Sequence, residues 1–160
     1  MKHYEMKRKD REVTDHKWIE SVLNRGVILH LGLAGEDGQP YVVPLGYGYR
    51  DNVIYLHGAV QGRKNDLADA NPKVCFQVTL DAELVPKETG AGFTMKYRSV
   101  TGFGRIRSLT DLNEKNTALQ ILMDHYNGPH QDLNETNHAN VWVARIDIDS
   151  MTGKNNLYPL

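Results

Sequence analysis

Apolar residues recur at every second position along most of this chain, and that period predicts a protein built mainly of strands. Leu29, Leu31 and Leu33 follow Val27 with His30 and Gly32 between them, so residues 27–33 are expected to form a strand with Val27, Leu29, Leu31 and Leu33 on its buried face. Asp37-Gly38 is a hairpin signal, and the partner strand runs over 41–49 with Tyr41, Val43, Leu45, Tyr47 and Tyr49 on one side. Pro44, Gly46 and Gly48 weaken that ladder and mark a bulge or a place where something approaches the backbone closely. A turn at 50–53 leads to a third strand over 53–57. A fourth covers 73–80, with Val74, Phe76, Val78 and Leu80 facing one way. The fifth, 95–109, is long and interrupted by Gly102 and Gly104, where a sheet can bend towards barrel closure. Residues 81–93 carry Pro86, Gly90 and Gly92 without a clear period and read as a loop. A last strand over 141–148 precedes a polar tail.

Three segments switch to the helical period. Asp15 can cap a helix to about Arg25, where Trp18 with Val22 and Ile19 with Leu23 share a face and Gly26 supplies the stop. A short helix over 63–70 ends before Asn71-Pro72. Asp111 and Glu114 have the spacing of a capping box and open a helix to Tyr126, whose expected buried stripe is Leu112, Leu119, Leu122, Met123 and Tyr126. Residues 1–13 are charged throughout and are expected to be a mobile arm, and 127–140 is polar and turn-rich. A helix, antiparallel hairpins, a late helix and a returning strand do not form a βαβ series, so a small mixed barrel in one domain over 1–160 fits the order better.

Composition narrows the partners. Nineteen basic residues against twenty acidic ones leave a net charge of -1, without the positive excess that nucleic-acid binding uses. There is no apolar run of membrane-spanning length and no signal-peptide pattern in the first residues, so a cytoplasmic protein with small-molecule partners and no membrane partner is expected. The single cysteine, Cys75, has no intrachain partner and reads as a packed strand thiol.

The candidate chemistry lies in two stretches. In the first, Gly58 and Gly62 frame a loop that opens onto a helix carrying Arg63 and Lys64 in its first turn. Free backbone N–H groups, the helix dipole and two cations together suit a phosphate. It is not a P-loop, because the required spacing and the hydroxyl after the lysine are missing. His57 stands beside this loop at a strand end. In the second stretch Tyr97, Arg98 and Ser99 place a cation and hydroxyls in a long strand, where they either add donors to a phosphate or decorate an exposed edge. His125, His130 and His138 match no compact metal pattern, so no metal site is expected.

Taken in order, Val42-Val43-Pro44-Leu45-Gly46-Tyr47-Gly48-Tyr49, Ile54-Tyr55-Leu56-His57-Gly58-Ala59, Gly62-Arg63-Lys64 and the run from Tyr97 to Arg105 resemble the nitroimidazole-resistance proteins of the pyridoxamine 5'-phosphate oxidase-like, FMN-binding split-barrel superfamily. The resemblance extends from about Met6 to Lys154. It implies a six-stranded antiparallel split β-barrel with flanking helices, dimeric, holding FMN between subunits. By position Val43, Pro44 and Leu45 would line the flavin, with His57, Gly58 and Ala59 beside it and Arg63 and Lys64 on its phosphate. Tyr97, Arg98 and Ser99 would complete the site from either subunit.

The superfamily resemblance implies an FMN-dependent reductase of small nitroaromatic compounds as a homodimer, with His57 at the proposed active-site position, either as a proton donor or as a hydrogen-bonding scaffold. The alternative is a flavin- or haem-binding protein without dedicated turnover. Pyridoxamine phosphate oxidation itself is not expected, since those oxidases end in a tail with a phosphate-holding arginine and this sequence reads Asn155-Asn156-Leu157-Tyr158-Pro159-Leu160 there. The fold leaves the reaction open.

Overall fold

The computed structural model describes residues 6–35, 37–130, 132, 134 and 137–159. Its strands are β1 (Glu12–Val13), β2 (Leu29–Ala34), β3 (Pro40–Leu45), β4 (Tyr47–Arg50), β5 (Val53–Gly58), β6 (Lys73–Val85), β7 (Thr94–Ser108) and β8 (Trp142–Asn156). Its helices are α1 (His16–Arg25), α2 (Arg63–Ala70) and α3 (Leu112–Tyr126). Every ladder is antiparallel, and the strands lie in the order β3-β2-β6-β7-β8-β5-β4, with β1 paired to β8.

The two ends of that order belong to one pass of the chain. Leu45 closes the β2–β3 ladder opposite Leu29, and Tyr47 opens the β4–β5 ladder opposite Leu56, with only Gly46 between them. The sheet therefore curls until its edges meet at Gly46. No ladder joins β3 to β4, so the result is a split barrel that is not closed. The expected six strands are the passes β2, β3 with β4, β5, β6, β7 and β8; the glycine break divides one of them, and β1 is an addition.

The inner faces carry Leu29, Leu31, Leu33, Phe76, Val78, Val100, Ile54, Leu56, Ala144 and Ile146, all in one buried cluster. The β4–β5 turn has φ of 52° at Asp51 and 62° at Asn52, the pair of positive values a type I′ hairpin needs. Two helices cover opposite ends of the curl. At one end α1, capped by the Asp15 carboxylate on Trp18 N at 2.7 Å, buries Ile19, Val22 and Leu23. At the other, α2 contributes Ala68 and the half-buried Leu67 to the same cluster. Outside the barrel, α3 lies against β4, where Gly48 earns its place: a Cβ there would stand 2.9 Å from Leu122 N.

Several expectations are corrected. Val27 is exposed rather than on the buried face, because the strand begins at Leu29 and α3 takes the preceding carbonyls: His125 Nε2 bonds Gly26 O at 2.6 Å and Tyr126 Oη donates to Val27 O at 2.9 Å. The expected loop 81–93 is strand as far as Val85, beyond a bulge at which Asp81 adopts φ 53°. The polar tail after Ile148 is the second half of β8. Its backbone pairs with β7, while Gly153 packs under the Trp18 ring and the Asn156 amide donates to Met95 O. The expected arm 1–13 is docked at its end, with Val13 buried and opposite Gly153; residues 1–5 lie outside the described residues. In α3 the buried positions are Lys115, Ala118, Ile121 and Leu122, so of the expected stripe Leu122 is buried and Leu112, Leu119, Met123 and Tyr126 are not. Lys115 can be buried because its ammonium donates to His138 O and Val141 O.

Candidate functional site

The break at Gly46 leaves strand edges unpaired. Because β4 starts opposite Leu56, the last residues of β5, His57 and Gly58, have no strand on that side, and the outer edge of β3 has none either. Val43, Pro44 and Leu45 lie on one lip of the split and His57, Gly58 and Ala59 continue from the other. The start of α2 spans both: Arg63 stands over the Tyr41 ring of β3 at 5.2 Å, and Lys64 over the Trp142 ring of β8, beside β5, at 3.9 Å. The structure thus brings together eight of the residues that the sequence singled out.

The helix start is not capped in the ordinary way. Gly62 is the N-cap, with φ 137°, a conformation that favours glycine, and no side chain accepts from the first turn. Lys64 is held instead. Its ammonium donates to Asn65 Oδ1 at 2.9 Å, and buried Asn65 donates in turn to Ala59 O at 3.2 Å, which fixes the loop that precedes the helix. Trp142 is anchored from its other side by its indole N–H on Ser108 Oγ at 2.9 Å, and Ser108 donates to Asp69 Oδ1 at 3.2 Å, further along α2. Burial pushes the Lys64 ammonium below its ordinary lysine value. Arg63 is exposed.

This donor set fits a phosphate. It offers free N–H groups at a helix start, a held ammonium and an exposed guanidinium. Gly58 keeps the approach open, since a Cβ there would sit 3.3 Å from Lys64 Nζ. His57, expected as proton donor or scaffold, is exposed and lies opposite Val143, on the side where Tyr55 packs against the cluster of Leu109, Ala118 and Val143. Among the described residues its ring has no hydrogen-bond partner.

Tyr97, Arg98 and Ser99 are elsewhere. They pair with Asn156, Asn155 and Lys154 near the end of β8, whereas Gly58 pairs with Trp142 at its beginning. β8 has 15 residues, about 50 Å along its path at about 3.3 Å per residue. Arg98 is committed within the chain: it donates to Asp81 at 2.5 Å and stacks on Tyr158 at 4.1 Å, and Arg25 reaches the same carboxylate at 3.0 Å. These cations hold Asp81 below the usual carboxylate range, the Arg98 hydrogen bond contributing most. Tyr97 and Ser99 open instead on an outward groove of about 430 Å³ that they share with Thr79, Thr101, Thr152 and Lys154. The Thr152 hydroxyl there is buried without a partner.

Sequence reasoning missed Trp142, Asn65, Lys154 and Asp81. Asn65 was legible as a polar residue one place after two cations, and the others carry no local signal, since their roles depend on strand register. The histidines are dispersed. His125 packs on the Tyr47 ring at 4.7 Å, His130 reaches Asp124 at 2.6 Å, and among the described residues no cluster of His, Cys, Asp or Glu could hold a metal ion. Cys75 is half-buried, and burial raises its thiol's value.

Residues 15–155 match the family model described as pyridoxamine 5'-phosphate oxidase. No curated protein matches the chain. Among solved structures, a candidate 5-nitroimidazole antibiotic resistance protein from Bacteroides thetaiotaomicron VPI-5482 is 31% identical, with 89% of this chain and 85% of that one covered at a TM-score of 0.79. The flavocytochrome Anf3 from Azotobacter vinelandii superposes with a TM-score of 0.81 at 20% identity, covering 98% of this chain and 74% of that one. An FAD and haem binding protein from Mycobacterium smegmatis does so at 0.82 and 19%, covering 92% and 74%.

Proposed function

The chain belongs to the pyridoxamine 5'-phosphate oxidase family, and from that premise we propose that it is an FMN-dependent reductase of small nitroaromatic compounds, working as a homodimer. The observation that carries the flavin part is the Lys64 ammonium, fixed by Trp142 and Asn65 beside Gly58 at the mouth of the split. The nitroaromatic part draws on the name of the Bacteroides relative at 31% identity. When bound, FMN supplies the redox chemistry, and the protein supplies position and charge.

Arg63, Lys64 and the first N–H groups of α2 hold the phosphate in this reading. The free backbone edges of Val43 to Leu45 and of His57 to Ala59 provide hydrogen-bonding groups along the split, which orient a flat ring system. His57, exposed on the lip, hands a proton to a substrate that has accepted electrons; general acid help of this kind is worth about 10²- to 10⁴-fold. Replacing His57 with Ala would then leave FMN affinity intact and slow nitroaromatic reduction by the chemically reduced protein. An unchanged rate at every pH would make His57 scaffold.

The homodimer part draws on the placement of Tyr97 and Ser99, which lie at the far end of β8 from the Lys64 site; in this reading they serve the flavin of a second copy, whose groove faces the first copy's split. Exposed Val42 on β3 and Ile28 just before β2 are surface such a partner would cover. Sedimentation of the flavin-loaded protein is expected at twice 18.1 kDa, and a species at 18.1 kDa would contradict the pairing.

A second reading has its own support: two structural neighbours are named for haem as well as flavin, which favours a flavin- or haem-binding protein without turnover. Titration with FMN and, in parallel, with haem at micromolar protein separates them. FMN saturation with a shifted flavin spectrum is expected. A flat FMN titration beside a saturable haem one would replace the reductase with the haem reading.

A further inference from the structure

We infer that Trp142 is a positioning residue for anion recognition, and that through it the half-buried Lys64, rather than the exposed Arg63, sets the preference for a phosphate-bearing flavin over one without phosphate. The inference rests on the flavin reading of the same site. The two neighbouring cations have different surroundings. Arg63 is exposed and has one loose aromatic contact, with its guanidinium carbon 5.2 Å from the Tyr41 centroid. Lys64 is half-buried, its Nζ 3.9 Å from the Trp142 centroid and 2.9 Å from Asn65 Oδ1.

A flexible lysine ordinarily loses rotamer freedom when it grips an anion. Here that loss is met by folding, because the ring face and the amide restrict the ammonium before any ligand arrives. The ring is itself restricted. Trp142 is 93% buried at the first position of β8, its indole N–H is on Ser108 Oγ, and Ser108 is tied to Asp69 of α2, the helix that carries Lys64. The closed path Lys64, Trp142, Ser108, Asp69 makes the ammonium's place a property of the barrel rather than of its own side chain. An ammonium so held has unused donor capacity and points past Gly58, where a side chain would crowd it at 3.3 Å.

The test compares FMN, riboflavin and inorganic pyrophosphate titrations of the full chain as wild type, Trp142→Phe, Trp142→Leu, Lys64→Met and the Lys64→Met/Trp142→Leu double variant, with far-UV circular dichroism as the folding control. Trp142→Leu removes the ring face and is expected to weaken FMN and pyrophosphate about tenfold or more, one decade being about 1.4 kcal/mol, and to leave riboflavin unmoved. Trp142→Phe keeps a ring and retains most of the affinity. In the Lys64→Met background Trp142→Leu costs nothing further.

Equal weakening of FMN and riboflavin by Trp142→Leu would overturn the inference, as would the same loss with Lys64 already removed. If Trp142→Leu does not fold, the Phe variant and the single Lys64→Met decide: Lys64→Met without effect on the FMN to riboflavin ratio overturns it. A wild type that binds pyrophosphate but neither flavin would end the flavin reading alone, and the pyrophosphate series would then decide on Trp142. A wild type that binds none of the three ends both.

Discussion

The two helices that cover the ends of the barrel do opposite things with the same kind of material. α1 is capped by Asp15, buries three aliphatic residues and receives the Tyr47 hydroxyl, which donates to Leu23 O at 2.6 Å. α2 begins at a glycine with no side-chain cap, and its fully buried residues are Asn65 and Ala68. The first end caps its helix with a side chain and packs its apolar residues into the core. The second leaves N–H groups free and holds two cations above aromatic rings. On the proposed flavin reading, a small barrel of this design keeps stability and binding at different ends.

The largest expected effect tests the separation from the stable end. Leu23 is fully buried at the α1 end, so Leu23→Ala should cost about 2 to 5 kcal/mol in urea unfolding and leave the FMN to riboflavin affinity ratio unchanged. A changed ratio would mean the two ends are coupled. From the other side, Lys64→Met should weaken FMN by about 1.5 to 3 kcal/mol, riboflavin hardly at all, and should not lower the unfolding midpoint. Burial already disfavours the charged Lys64, so removing the charge costs the fold little.

Smaller effects sharpen the contrast. Asp15→Ala removes a cap and should cost about 0.5 to 2 kcal/mol of stability with no change in ligand affinity. Arg63→Ala, at an exposed site, should cost FMN binding no more than about 1 kcal/mol, less than the loss at Lys64. The smallest effect is in pH. The Lys64 value is lowered, so its ammonium is lost, and FMN affinity with it, at a pH below the ordinary lysine value of about 10.4. Over the same window the unfolded chain binds the proton more tightly, so the free protein gains stability as pH rises. Lys64→Arg keeps the charge and should abolish the early fall, as read by FMN titrations at stepped pH.

The α1 end was legible in the sequence and the α2 end only half so. Asp15, the spacing of Ile19, Val22 and Leu23, and Gly26 are local signals, and α1 forms where they place it. α2 was also placed by its local signals, Gly62 before and Asn71-Pro72 after, and its two cations were visible. What holds Lys64 was not: Trp142 is adjacent only because β5 pairs with β8, and a register between distant strands has no local mark. The same limit hid the second half of β8. Thr152 and Lys154 face the groove, so the apolar period fades while the backbone ladder continues. Arg98 read as a free donor because its partner, Asp81, sits at a bulge in a segment without period.

The most direct measurement of the account is a crystal structure of the protein grown with FMN. The phosphate is expected within hydrogen-bonding distance of Lys64 Nζ and the first N–H groups of α2, with Lys64 still over the Trp142 ring and the flavin ring along the split between Val43 and His57. A phosphate seated away from α2, or a Lys64 that leaves Trp142 without touching it, would contradict the claim that this end of the barrel is built to bind.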